Sequence, residues 1–92
     1  MGEDEPIRVW LVERTYSDDE LNVIILIYAT TDGRYYHRKE RALTSFSDRR
    51  ATPAAVEVPR HNLGVVTDED ERRRYAAEAA RMAAAHAPDD AV

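Results

Sequence analysis

The stretch LNVIILIYAT at residues 21–30, followed by TDG at residues 31–33, decides the fold of this chain. Its apolar run is typical of a central strand that is buried on both faces. The Asp-Gly pair after it indicates a three-residue hairpin loop, with glycine in the left-handed conformation. The sequence therefore predicts a hairpin whose second strand covers residues 34–43. Because that strand is charged on both faces, we expect it at a sheet edge.

The segments on either side of the hairpin complete a small α+β domain. Residues 7–16 are rich in β-branched and aromatic side chains and end at a turn cluster, residues 17–20, so they predict a first strand. Residues 54–58 fit a short fourth strand. A helix over residues 68–87 is predicted by Thr67 as N-cap, the acidic run after it and Pro88 at its end. The predicted fold is an antiparallel three- to four-stranded β-meander packed against one C-terminal α-helix.

A three-residue loop also predicts a register and two faces of the sheet. If Thr30 lies opposite Arg34, then Tyr28 lies opposite Tyr36. One face then carries the apolar side chains Ile7, Val9, Leu11, Leu21, Val23, Ile25 and Ile27, and we expect the helix to pack there. The other carries Arg8, Trp10, Val12, Arg14, Tyr16, Leu26, Tyr28, Arg34, Tyr36 and Arg38. That second face is a binding platform, is covered by residues 44–66, or is buried in a dimer.

Length and composition restrict the class of protein. With 92 residues the chain supports one domain, which we place at residues 7–87, with a disordered N-terminus at residues 1–6 and a disordered acidic tail at residues 88–92. The absence of cysteine excludes disulfides and thiolate chemistry. No apolar run approaches the roughly 20 residues that span a bilayer, and residues 1–5 lack the basic start of a signal peptide. We therefore expect a cytoplasmic protein with no membrane contact.

The charged residues are unusual in kind. Of 13 basic side chains 12 are arginine and only Lys39 is lysine, while the net charge is -5 and an acidic run occupies residues 68–71. This composition resembles that of small uncharacterised proteins of halophilic archaea, in which surface carboxylates maintain solubility. A GC-rich genome is the alternative explanation, since it also favours arginine and alanine. The resemblance implies no activity.

The residues that could carry out chemistry do not form a recognisable site. His37, His61 and His86 have no further ligand at metal-binding spacing, and no serine stands in a nucleophile-elbow sequence. No glycine-rich loop precedes a helix, as a phosphate cradle would require. We therefore predict a non-enzymatic protein with no catalytic residue, no metal and no cofactor.

The distribution of charge favours a binding function. Residues 31–60 carry seven basic and four acidic side chains, with tyrosines between them. Our first hypothesis is contact with a protein partner, or homodimerisation, through an aromatic and arginine face. This face consists of Arg8, Trp10, Arg14, Tyr28, Arg34, Tyr36 and Arg38. The alternative is binding of single-stranded nucleic acid or RNA by the third strand, through Arg34, Tyr36, Arg38, Lys39 and Arg41.

Overall fold

A computed structural model of the protein describes residues 5–16, 23–42 and 52–92. Within these ranges the chain forms one antiparallel sheet of five strands and one C-terminal helix, which confirms the predicted α+β class. The strands are β1 (Pro6–Tyr16), β2 (Val23–Ala29), β3 (Tyr35–Ala42), β4 (Ala55–Pro59) and β5 (Gly64–Val65), and the helix is α1 (Glu69–Ala85). A short 3-10 helix at Arg60–Asn62 joins β4 to β5.

Several sequence predictions concern residues outside the described ranges. They are the disorder of residues 1–4, the turn at residues 17–20, the start of the second strand at residues 21–22, the end of the third strand at residue 43 and the loop that follows it up to residue 51. Pro6, which we expected in the disordered N-terminus, is instead the first residue of β1, where it lies opposite Pro59 of β4.

The order of the strands is β4-β1-β2-β3-β5. The apolar strands β1 and β2 therefore lie inside the sheet, while β4 pairs with the outer side of β1. The two-residue strand β5, which the sequence did not predict, pairs with β3 only at Tyr35 and Tyr36. The rest of β3 has no second neighbouring strand in the described ranges, as expected for a charged edge strand.

The predicted register of the hairpin is wrong by one residue. Ala29 lies opposite Tyr36 and Tyr28 opposite His37, so the loop contains four residues, 31–34, and not three. The Asp32 carboxylate explains the longer loop, because its Oδ1 accepts hydrogen bonds from the Thr30 hydroxyl at 2.6 Å and from the Arg34 amide at 3.0 Å. Gly33 has the expected left-handed conformation, with φ of 73°.

A β-bulge in β1 further changes which residues share a face. Leu11 pairs with Tyr28 but Glu13 pairs with Ile27, so Val12 is an extra residue in β1. We call the side that carries Trp10, Glu13, Ile27, Ala29 and Tyr36 the Trp10 face. We call the side that carries Leu11, Arg14, Leu26, Tyr28 and His37 the Tyr28 face.

The helix packs on the Trp10 face, which corrects the expected packing on the face of Ile7, Val9 and Leu11. An ion pair of 3.1 Å joins Arg74 of α1 to Glu13 of that face. Trp10 is only 7% exposed, and Tyr75, Ala79 and Met82 are the buried side chains of the helix. The sequence could not decide between the faces because β2 is apolar on both sides.

Other parts of the chain cover the Tyr28 face. The Tyr28 hydroxyl donates to the Pro53 carbonyl at 2.9 Å, and an Arg41 guanidinium nitrogen lies 3.3 Å from the Thr52 hydroxyl. Arg14 donates to the backbone oxygen of Val92 at 2.8 Å. The Tyr28 face is therefore covered in part by residues 52–53, which belong to the segment 44–66 whose packing on the sheet was one of the three expected outcomes.

Residues 88–92 are bound to the domain and do not form the disordered tail that we expected. The amide of Ala55 donates to the carbonyl of Pro88 at 2.9 Å, that of Ala54 to Asp90 at 2.8 Å, and that of Val92 to Thr52 at 2.9 Å. These bonds satisfy backbone groups at the beginning of β4, which an undocked tail would leave without these partners. The other end of α1 also differs from expectation, because Asp68 and not Thr67 is the N-cap, accepting from the Glu71 amide at 2.9 Å.

Replacing Tyr28 with phenylalanine is expected to lower the free energy of unfolding by about 1–2 kcal/mol, because the Pro53 carbonyl loses its donor. Burial raises the pKa of Tyr28, against the opposing effect of Arg14 and Arg41. The folded protein therefore retains this proton while the unfolded chain loses it above about pH 10, so stability falls as the pH rises past that value. Urea unfolding at several pH values should show a shallower alkaline decline in Tyr28→Phe.

The matched control is Tyr16→Phe, which alters a tyrosine that is 57% exposed in the same sheet. It should leave the free energy of unfolding near neutral pH unchanged. Burial also raises the pKa of Tyr75, so part of the decline remains in Tyr28→Phe. An alkaline decline as steep in Tyr28→Phe as in the parent protein would contradict this account.

Candidate functional site

The structure divides the predicted aromatic and arginine face between two sides of the sheet. Arg8, Trp10, Tyr36 and Arg38 lie on the Trp10 face, while Arg14 and Tyr28 lie on the Tyr28 face and Arg34 lies in the hairpin loop. Trp10 and Tyr28, which were expected as its central aromatic residues, are 7% and 1% exposed and belong to the core. This correction follows from the bulge and the longer loop. Each shifts the strand pairing by one residue and so moves side chains to the other face of the sheet.

The arginines of the predicted face are largely bound within the protein. Arg8 forms an ion pair of 3.1 Å with Glu57 of β4, and Arg38 pairs with Glu40 two residues along β3. Such exposed pairs add little to stability, but they do offset the positive charge. Lys39 is exposed and has no ion pair with any described residue. Lys39 is thus an exposed positive charge on β3 that no carboxylate of the described residues offsets by an ion pair.

A groove lies beside Gly64, the first residue of β5. It adjoins the part of β3 after Tyr36, with which no described strand pairs on that side. It has a volume of about 460 Å³ and is lined by residues 36–38 and 61–64; we call it the β3 groove. Tyr36 approaches Gly64 so closely that a Cβ at position 64 would lie 2.5 Å from its ring. Glycine at this position therefore lets the ring lie over the backbone of β5. Tyr36 and Arg38 belong to the predicted binding face, whereas His37 and residues 61–64 were not predicted as site residues.

At alternate residues of β3 beside this groove, the backbone N–H and C=O groups point away from β2. The backbone carbonyl of Tyr35 accepts a hydrogen bond from the Thr30 amide, on the β2 side. The backbone carbonyl of Arg34 accepts one from the Val66 amide, on the β5 side. Residues of β3 with even numbers therefore direct their backbone groups away from β2. After Tyr36 these are Arg38, Glu40 and Ala42, and no strand among the described residues pairs with them.

A smaller cavity of about 170 Å³ lies near the hairpin loop, and we call it the Asp32 pocket. Its lining residues are Ile7, Thr30, Asp32, Tyr35, Arg60 and Leu63. The hydrogen bond from the Thr30 hydroxyl is the main cause of a lowered pKa of Asp32, and the amide and guanidinium of Arg34 lower it further, while partial burial opposes them. The pocket therefore presents an ionised carboxylate at neutral pH.

Two kinds of site are absent from the described ranges. No three histidine, aspartate or glutamate side chains come together there as metal ligands would. No helix in those ranges has both the length and the apolar character that a membrane span needs.

The described residues form a small α+β domain, with a five-stranded antiparallel sheet, one C-terminal helix and a basic and aromatic groove beside the edge strand β3. Over residues 3–92 the chain matches the model of a family of unknown function, DUF7967, and it belongs to that family. No curated protein and no solved structure matches it.

Proposed function

We propose that the protein is a small non-enzymatic binding domain of the cytoplasm, which contacts another protein through the β3 groove. The partner would supply an extended acidic segment that adds to the sheet beside residues 38–42. The observation that carries this proposal is the outward-facing backbone of Arg38 and Glu40, beside which no described strand lies. The lack of cysteine and the acidic composition are typical of a cytoplasmic protein.

Addition of a strand uses chemistry that this edge offers. A peptide that pairs with an exposed strand gains backbone hydrogen bonds, and neighbouring pockets select its side chains. Arg38 and Glu40 would provide the backbone donors and acceptors, and the β3 groove has space for a partner side chain beside Tyr36 and His37. Tyrosine and arginine are also the residue types that contribute most to protein interfaces.

Charge favours an acidic partner and argues against a second copy at this edge. His37, Arg38 and Lys39 are consecutive in β3, and only Glu40 offsets them locally. Antiparallel pairing of two β3 edges would place these basic residues close to one another, which is unfavourable. An acidic strand would instead meet the opposite charges of Arg38 and Lys39.

Single-stranded nucleic acid is the second candidate, and the same groove supports it. Tyr36 is half-buried with its ring at the groove, where a base could stack, and Arg38 and Lys39 could approach phosphates. The two candidates differ in their response to salt. Phosphate contacts weaken steeply as salt rises, and screening shortens to about 3 Å in about 1 M salt. Backbone pairing depends much less on salt, so it suits the high-salt cytoplasm that we propose from the composition.

The test is a titration of labelled probes into the protein at low salt and in about 1 M KCl, where screening is about 3 Å. The probes are an alternating Val–Glu peptide, an alternating Val–Lys peptide of equal length, and oligo-dT. We expect the Val–Glu peptide to bind and to shift the backbone amide resonances of Arg38 and Glu40. Glu40→Pro should weaken binding at least about tenfold, because it removes an outward donor without interrupting the pairing with β2.

The control variant is Glu40→Gln, which removes the same charge but keeps the amide, so it should bind at least as well as the parent. Equal binding by Glu40→Pro and Glu40→Gln would contradict strand addition, as would equal binding of the two peptides. Tighter binding of oligo-dT that disappears at high salt would favour the nucleic-acid function. A mass that doubles with protein concentration and reverts in Glu40→Pro would indicate self-association through this edge instead.

A further inference from the structure

The Asp32 pocket is formed by residues that are far apart in the sequence. Ile7 comes from the start of β1, Thr30 and Asp32 from the connection between β2 and β3, Tyr35 from β3, and Arg60 from the 3-10 helix. Its volume of about 170 Å³ is well below the roughly 300–1,000 Å³ of pockets that bind drug-sized ligands. A nucleotide would therefore not fit, whereas a molecule of the size of one amino acid would.

Two opposite charges line this pocket, and each retains capacity for a ligand. The hydrogen bonds from Thr30 and Arg34 to the Asp32 carboxylate both reach Oδ1, so Oδ2 remains the oxygen for a ligand. The Arg60 guanidinium has neither a hydrogen bond nor an ion pair with a described residue, and it forms no ion pair with Asp32. Between these charges the lining includes the apolar side chains of Ile7 and Leu63 and the ring of Tyr35.

We propose that the Asp32 pocket binds a small free amino acid in its zwitterionic form. The ammonium group would donate to Oδ2 of Asp32, and the carboxylate would accept a pair of hydrogen bonds from Arg60. An aliphatic side chain would then contact Ile7 and Leu63. A simple anion or cation would engage only one of the two charges, so a ligand that carries both charges fits the lining better. This site shares only Leu63 with the lining of the β3 groove, and its ligand does not depend on the function proposed for that groove.

The test is a titration of L-valine into isotope-labelled protein, followed by NMR and calorimetry. We expect saturable shifts at the amides of Asp32, Gly33 and Leu63. N-acetyl-L-valine lacks the ammonium group and L-valine amide lacks the carboxylate, so each should bind at least about tenfold more weakly. Arg60→Gln should produce a similar loss for L-valine.

Asp32→Asn is the informative variant of the carboxylate. Its Oδ1 can still accept from the Thr30 hydroxyl and the Arg34 amide, so the loop should keep its conformation while the negative charge at Oδ2 disappears. We expect at least about tenfold weaker L-valine binding, with unchanged thermal unfolding. Arg34→Gln is the control, because Arg34 adjoins Asp32 but does not line the pocket, and it should retain binding. No saturable shift with L-valine, or equal affinity for L-valine and its two derivatives, would overturn the proposal.

Discussion

Replacing Trp10 with alanine is expected to lower the free energy of unfolding by about 3–5 kcal/mol. The indole lies opposite Ala29 of β2 on one side and opposite Ala55 of β4 on the other. These two small residues leave space for the ring, and α1 covers the same face with Ala79, which is fully buried. Removing the indole therefore opens a large cavity between the sheet and the helix. Urea unfolding followed by circular dichroism measures the loss.

The control for this variant is Tyr16→Ala, which removes an exposed aromatic side chain from the same strand. Its effect should stay within about 0.5 kcal/mol, as for most surface substitutions. If Trp10→Ala changed stability as little as Tyr16→Ala does, the indole would not be part of the core. The predicted aromatic face would then again be a candidate binding surface.

The strands and the helix could be predicted because each has a local signal. The apolar run of β2, the Asp-Gly pair after it and the acidic start of α1 all act within a few residues of the chain. The distribution of side chains between the faces has no such signal. It depends on the bulge at Val12 and on the Asp32 hydrogen bonds that lengthen the loop, and each shifts the pairing by one residue.

The candidate sites were predictable to a different degree. The basic residues of β3 are visible in the sequence, and so is its position at an edge, because a strand charged on both faces cannot be buried. Residues 61–64 could not be recognised, since the two-residue strand β5 is too short to show a period. Asp32 was interpreted only as a turn former. Arg60 reaches the same pocket because of the path that the chain takes from β4 to β5.

Gly33→Ala is expected to lower the free energy of unfolding by about 2–5 kcal/mol, from the combined cost of a left-handed residue and of overpacking. The turn sequence predicts the first cost, and the φ of 73° at Gly33 confirms the left-handed conformation. The structure shows the second cost, which is overpacking. A Cβ at this position would lie 2.1 Å from the backbone oxygen of Arg72 and 2.9 Å from the amide nitrogen of Ala76, both in α1. Thermal and urea unfolding measure the loss, and Thr31→Ala in the same exposed loop should be almost neutral.

Gly33→Asn separates the two costs. Asparagine adopts the left-handed conformation more readily than alanine, so it should be the milder substitution if backbone conformation alone mattered. Its side chain is larger, however, and the atoms that it would meet belong to the rigid backbone of a helix. We therefore expect Gly33→Asn to cost at least as much as Gly33→Ala. A clearly smaller loss for asparagine would mean that α1 can move away from the loop, and that the left-handed turn alone requires glycine here.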